Sequence, residues 1–244
     1  MKYDELMKVM EFSQPMSKHC DLAFSVCQLQ LLKPKSILEL GTGRGDWIYH
    51  VANSLQDSSI QFLGYEDFSQ YNEPYMDRYK KENDWSDKYK LHGTIQKKLS
   101  SVNLNNQVVI RDADITTINP VVDYSGYVFD MVRLDCLTEK SEILRVLRDI
   151  FPYTHDKTVF VIDDINVNSC PNRFLAMVDL CSEGLLKPLH IGSKESTWVK
   201  SDYDIGDYRS RIEDKLITET HWGQFFTYIF CGAEHTWHSI DDPR

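Results

Sequence analysis

The 244-residue sequence contains no apolar stretch approaching the ~20 residues needed to cross a bilayer. Its opening, MKYDELMKVMEF, lacks the basic segment and apolar core of a secretory signal. Basic residues are outnumbered, 27 against 37 acidic, and no Lys/Arg run interrupts the net charge of -10. That balance argues against a nucleic-acid duplex as partner, since phosphate binding needs a basic stripe. It also argues against docking on an anionic membrane. The six cysteines form no CxxC pair and no regular framework, as in a reduced, cytoplasmic protein. Internal repeats and low-complexity segments are absent.

What is present is an alternation of short apolar runs with helical periodicity. Residues 36–40, 61–66, 107–110, 127–134 and 158–162 read as five strands. Helices are expected at 18–32, at 46–55, at 139–151, where Ile143, Leu144, Leu147 and Ile150 recur at helical spacing, and at 172–183. A late strand is expected at 224–230. Strands alternating with helices predict an α/β fold: a Rossmann-like, doubly wound and mostly parallel sheet of about seven strands, with helices on both faces.

The chain reads as a single domain over residues 1–244, with an N-terminal helical segment at 1–32 and a C-terminal extension at 201–244. Residues 68–106, rich in Tyr, Trp, Lys and Asp, are longer than one crossover requires. They are either a lid or acceptor-binding insert or a solvated helical excursion. An exposed C-terminal strand is open to pairing between subunits, which makes a homo-oligomer one outcome.

Open α/β sheets bind ligands beyond the carboxyl ends of their strands. The first strand runs into Glu39, Leu40, Gly41, Thr42, Gly43, Arg44 and Gly45. Glycines there allow a sharp turn and a close ligand approach. A dinucleotide fingerprint would need a glycine at position 46, which is Asp46. A carboxylate at the helix start disfavours a pyrophosphate. S-adenosylmethionine has no phosphate and carries a sulfonium cation, so an acid such as Glu39 suits it better. Glu66 ends the second strand 25 positions after Gly41, where a carboxylate can accept both ribose hydroxyls. The third strand leads into Arg111, Asp112, Ala113 and Asp114, and Asp112 can accept from an adenine amino group.

These segments, ILELGTGRG, FLGYED, VVIRDADIT and FDMVRLD, resemble class I S-adenosylmethionine-dependent methyltransferases over about residues 35–200. The resemblance implies that Glu39, Gly41, Thr42, Gly43 and Gly45 hold the methionine end, Glu66 the ribose, and Asp112 with Ala113 the adenine. Asp67 and Asp114 are adjacent and can exchange these roles.

On the acceptor side, the fourth strand ends at Asp135 and the fifth at Asp163 and Asp164. Neighbouring strand ends bring three carboxylates together, and crowded carboxylates call for a cation. A hard divalent ion such as Mg²⁺ would meet that need, bind an acceptor hydroxyl and lower its pKa. Asp135 is then the candidate general base. Taken singly, each Asp after a strand has an ordinary structural reading as a cap or turn residue.

The runs VRLDCLTEKSEILRVLRDIFP and VFVIDDIN, with the helix after Cys170 and the segment around Trp198, are similar to the macrocin O-methyltransferase group. That resemblance implies Mg²⁺-dependent methylation of a sugar or natural-product hydroxyl, with Asp135, Asp163 and Asp164 as metal ligands. The chain departs from the group in three ways. Leu137 stands where a second acid is usual, residues 155–158 replace a glycine pair, and residues 201–244 extend past the usual end. Two further readings differ in class: the same fold performing aminopropyl transfer or hydroxylation, and a non-catalytic scaffold.

Overall fold

The computed structural model describes residues 28–43, 45, 47–49, 60–68, 95, 108–165, 170–191, 195–203 and 211, together with the backbone of 224–230 and 233–239. Most of the insert at 68–106, most of the expected helices at 18–32 and 46–55, and much of the extension at 201–244 lie outside these residues.

Strands β1 (Ser36–Leu40), β2 (Gln61–Glu66), β3 (Val108–Asp112), β4 (Phe129–Leu134) and β5 (Thr154–Ile162) are mutually parallel, in the order β3-β2-β1-β4-β5. β1 is buried along its whole length, as a central strand covered on both faces must be. Beyond β5 the sheet reverses. β7 (Ser196–Lys200) pairs antiparallel with β5, and β6 (Leu186–Ile191) antiparallel with β7. β9 (Ala233–Ser239) then runs parallel to β6, and β8 (Gln224–Phe230) closes that edge. The Rossmann-like architecture read from the sequence is therefore present. Its seven strands, ending at β6, are continued to nine by the C-terminal pair.

Beside the helical ends at 28–32 and 47–49, the helices described in full are the single turn α1 (Pro120–Asp123), α2 (Lys140–Ile150) and α3 (Pro171–Ser182). Ile143, Val146, Leu147 and Ile150 make one buried stripe on α2. They join Leu38, Leu63, Phe129, Phe160, Met177 and Trp198 in the core. Proline at the start of α3 uses the position where no N–H is needed. The helix stops at Gly184, whose φ of 71° lets the N–H of Leu185 return to the carbonyl of Leu180 at 3.0 Å. Among the described residues no helix is long and apolar enough to cross a membrane.

β5 begins earlier than its apolar run suggests. Asp130 on β4 accepts from the backbone of Lys35 (2.6 Å) and Ser36 (2.9 Å) through Oδ2, and its Oδ1 meets His155 Nε2 at 2.7 Å. Thr158 Oγ1 donates to the Phe129 carbonyl at 2.6 Å. These polar contacts hold the starts of β1, β4 and β5 together, so residues 155–158 are strand where a glycine pair would make a turn.

Candidate active site

The turn after β1 is set by glycine. The N–H groups of Gly41 (2.9 Å) and Thr42 (3.2 Å) both donate to the Tyr65 carbonyl, tying the turn to the end of β2. Gly41 has φ of 88°, and a Cβ there would lie 2.7 Å from the carbonyl oxygen of Asp135. Backbone therefore fills the place of a side chain, and only glycine fits. Glu66 accepts from the Gly43 N–H at 2.6 Å, so the acid at the end of β2 also holds the glycine turn. Burial pushes the Glu66 carboxyl up to about 7, with the Gly43 hydrogen bond opposing and Asp67 reinforcing the shift.

Asp112 ends β3 in register with Glu66, and the Ala113 N–H donates to the Glu66 carbonyl at 3.0 Å. These residues lie side by side at the carboxyl edge. Asp114 does a different job: its Oδ1 accepts from Thr116 N and Thr116 Oγ1, both at 2.8 Å, and so caps the short 3-10 turn Ile115–Thr117.

The centre of the edge is Arg133. It stands opposite Glu39 across the β1–β4 pair and two residues before Asp135, on the same face of β4. Nη1 donates to Glu39 Oε1 at 2.9 Å and to Asp135 Oδ2 at 3.0 Å, and Nη2 to Asp163 Oδ2 at 2.9 Å. Glu195, just ahead of β7, brings Oε2 to 3.7 Å from Nε. The guanidinium lies 5.1 Å from the ring centroid of Trp47. The surrounding carboxylates raise the Arg133 pKa well above its ordinary value despite complete burial.

A second arginine closes the acceptor side. Arg173, in the first turn of α3, donates from Nε to the Leu137 carbonyl (3.0 Å) and from Nη1 to the Asp163 carbonyl (2.9 Å). Nη1 also lies 3.7 Å from Asp135 Oδ1 and 3.6 Å from Asp164 Oδ2. Leu137 (φ 63°) and Asp164 (φ 52°) both take the left-handed conformation that non-glycine residues avoid. Arg173 thus fastens two strained turns, one after β4 and one after β5.

Asp135, Asp163 and Asp164 come together as the sequence predicts, each offering a carboxylate oxygen within 4.8 Å of the others. The cation argument takes a different form here, because protein guanidiniums already neutralise part of the cluster. Among the described residues, Glu39, Asp135, Asp163, Asp164 and Glu195 face Arg133 and Arg173, so negative charge is still in surplus. Burial pushes Glu39 up to about 8, with Arg133 opposing. Asp135 is pushed up to about 7 by burial and by Asp163, though its side chain remains 30% exposed and water moderates that push. Such a donor set, hard oxygens with excess charge, suits a divalent ion.

The methionine side fits a ligand on a separate observation. Glu39 Oε2 and Thr42 Oγ1 are buried with no hydrogen-bond partner among the described residues. Buried polar atoms are seldom left this way, and ordered water or a bound group that donates to them would complete them. Cys136, beside Gly41, is an unsuitable nucleophile because desolvation pushes its thiol well up and keeps it neutral.

No protein-family model matches the chain, and no curated protein matches its sequence. Solved structures do match. A Podospora anserina methyltransferase bound to SAH superposes with a TM-score of 0.58 at 12% identity, covering 81% of this chain and 87% of that one. A calicheamicin methyltransferase gives 0.58 at 16% identity, covering 82% and 86%. The Streptomyces achromogenes O-methyltransferase involved in tomaymycin synthesis, in complex with SAM, gives 0.54 at 14%, covering 81% and 86%. The chain shares the fold of these methyltransferase structures. At these identities the likeness is one of architecture, and function has to be argued from the site.

Arg133, Arg173, Trp47 and Glu195 are functional candidates that the sequence reading assigned no role. Arg133 was within reach of it, since an arginine two positions before a strand-end aspartate shares that residue's face. Glu195 and Arg173 reach the site only through the β5–β7 pairing and the docking of α3, which no local pattern announces.

Proposed function

We propose that the protein transfers a methyl group from S-adenosylmethionine to a hydroxyl of a small acceptor, a sugar or related natural product, as in the macrocin O-methyltransferase group. One observation carries the reading. The glycine turn ties Glu39, buried with one oxygen unpartnered among the described residues, and Glu66 to adjacent strand ends, and Arg133 links Glu39 to Asp135 and Asp163 of the neighbouring aspartate cluster. Cofactor and acceptor chemistries thus meet at one edge. The structural neighbours support it: one is described as a TDP-rhamnose 3'-O-methyltransferase of calicheamicin biosynthesis, and others as bound to SAM or SAH.

In this mechanism Glu39 receives the ammonium of the methionine moiety, Glu66 the ribose hydroxyls, and Asp112 with Ala113 the adenine. S-adenosylmethionine would supply an electrophilic methyl carbon there, with S-adenosylhomocysteine as the leaving group. Asp135 takes the acceptor proton. Asp135, Asp163 and Asp164 would hold Mg²⁺, which supplies charge to orient and acidify the acceptor hydroxyl. Arg173 keeps the two turns that carry these aspartates in place.

The test is methyl transfer from labelled S-adenosylmethionine to a panel of nucleotide sugars and glycosides, with S-adenosylhomocysteine measured as co-product. Asp135→Asn is expected to lower the rate by roughly 10²–10⁴-fold, the range of a lost general base. Release of methylthioadenosine instead would point to aminopropyl transfer, and turnover without either product would remove the reading.

A further inference from the structure

Trp47 is 5% exposed, and its indole nitrogen has no hydrogen-bond partner among the described residues. Leaving a buried N–H unpaired is costly enough that native proteins seldom do it. The residue stands just past the glycine turn, with its ring against the guanidinium that holds Glu39. Two other buried polar side chains of this segment are unpartnered as well: Glu39 through Oε2 and Thr42 through its hydroxyl.

The three orphans differ in chemistry. An ionised Glu39 only accepts, the indole only donates, and the threonine hydroxyl does either. A ligand that pairs with both Glu39 and Trp47 must offer a donor and an acceptor. The α-amino acid end of S-adenosylmethionine has this character, an ammonium beside a carboxylate.

We propose that Trp47 is a binding residue for this end of the cofactor, its indole N–H donating to the methionine carboxylate. The inference rests on the methyl-transfer reading and adds to it a residue and a recognised group. Packing of the ring on Arg133 fixes the N–H direction before the ligand arrives, so little side-chain entropy is lost on binding.

The test is calorimetric titration of wild type and Trp47→Phe with two ligands, S-adenosylhomocysteine and its decarboxylated analogue. Phe keeps an aromatic face for Arg133 and deletes only the donor. Trp47→Phe is expected to weaken S-adenosylhomocysteine by about tenfold or more, as for a hydrogen bond to a charged group, and to leave the analogue's affinity unchanged. Equal weakening of both ligands, or of neither, would overturn the proposal. Should the variant fold poorly, the Trp47 indole N–H resonance of labelled wild-type protein serves instead. It should move downfield with S-adenosylhomocysteine and stay in place with the analogue, and equal responses would overturn the proposal. Failure of wild type to bind S-adenosylhomocysteine would be a separate result, removing the methyl-transfer reading and this inference with it.

Discussion

Arg133 donates to acids on three strands or their ends, Glu39, Asp135 and Asp163, from a position with 1% of its side chain exposed. A buried ion network of this kind adds little net stability over an apolar core, yet removing one partner leaves the rest uncompensated. Arg133→Met is therefore expected to lower unfolding stability by about 3–5 kcal/mol, measured by urea denaturation. A loss below 1 kcal/mol would show that the acids do not depend on it. Glu66 makes a prediction of opposite character, because its carboxyl titrates near 4.5 when unperturbed and near 7 in the folded protein. Between those values the folded state holds the proton more tightly, so this group's contribution favours folding at low pH and is lost as pH rises through 7. Glu66→Gln should flatten the fall in stability between about pH 5 and 7, read from melting temperatures. An unchanged pH profile would contradict the assignment.

At the level of elements, the two ends of the sheet do separate work. The carboxyl end carries the glycine turn and the acidic cluster, while the amino end is fastened by Asp130, which joins the start of β1 to His155 on β5. Asp130→Ala strands the N–H of buried Ser36, opens that of exposed Lys35 to water and frees the imidazole. It is expected to cost about 1–3 kcal/mol, the range for unsatisfied backbone donors, and to leave S-adenosylhomocysteine affinity unchanged within twofold. An affinity loss as large as the stability loss would mean that the two ends are not independent. The same region shows what sequence can and cannot tell. β1 and β2 were legible to the residue because apolar runs bounded by charge and glycine mark buried parallel strands. β5 was read as starting at Thr158, four residues late, because its first half is held by Asp130 and Thr158 contacts rather than by apolar burial. β6 left no clear signal. Pro188 interrupts its pattern, and the pairing with β7 shifts register between Pro188 and His190 to accommodate it. Among the site residues, Asp135, Asp163 and Asp164 could be grouped because strand ends of a parallel sheet share an edge. The arginines that neutralise them belong to cross-strand register and helix docking, which are tertiary facts.

For the molecule as a whole, the sheet order places β1 and β4 side by side where the chain switches direction of winding, and the candidate site lies at their carboxyl ends. The cofactor acids and the acceptor acids fall on the two sides of that point, joined by Arg133. β9 and β8 extend the sheet at the far edge, beyond β6, and so enlarge the frame without entering the β1–β4 junction. The central claim is that this junction binds S-adenosylmethionine, and the most direct measurement is calorimetric titration of S-adenosylhomocysteine into wild type and Gly41→Ala. In the variant, the added methyl would meet the Asp135 carbonyl at 2.7 Å and distort the turn. The account predicts saturable one-to-one binding to wild type and at least tenfold weaker binding to a Gly41→Ala protein that still melts cooperatively. Folded wild-type protein that gives no binding heat and no melting-temperature shift at millimolar ligand would contradict it.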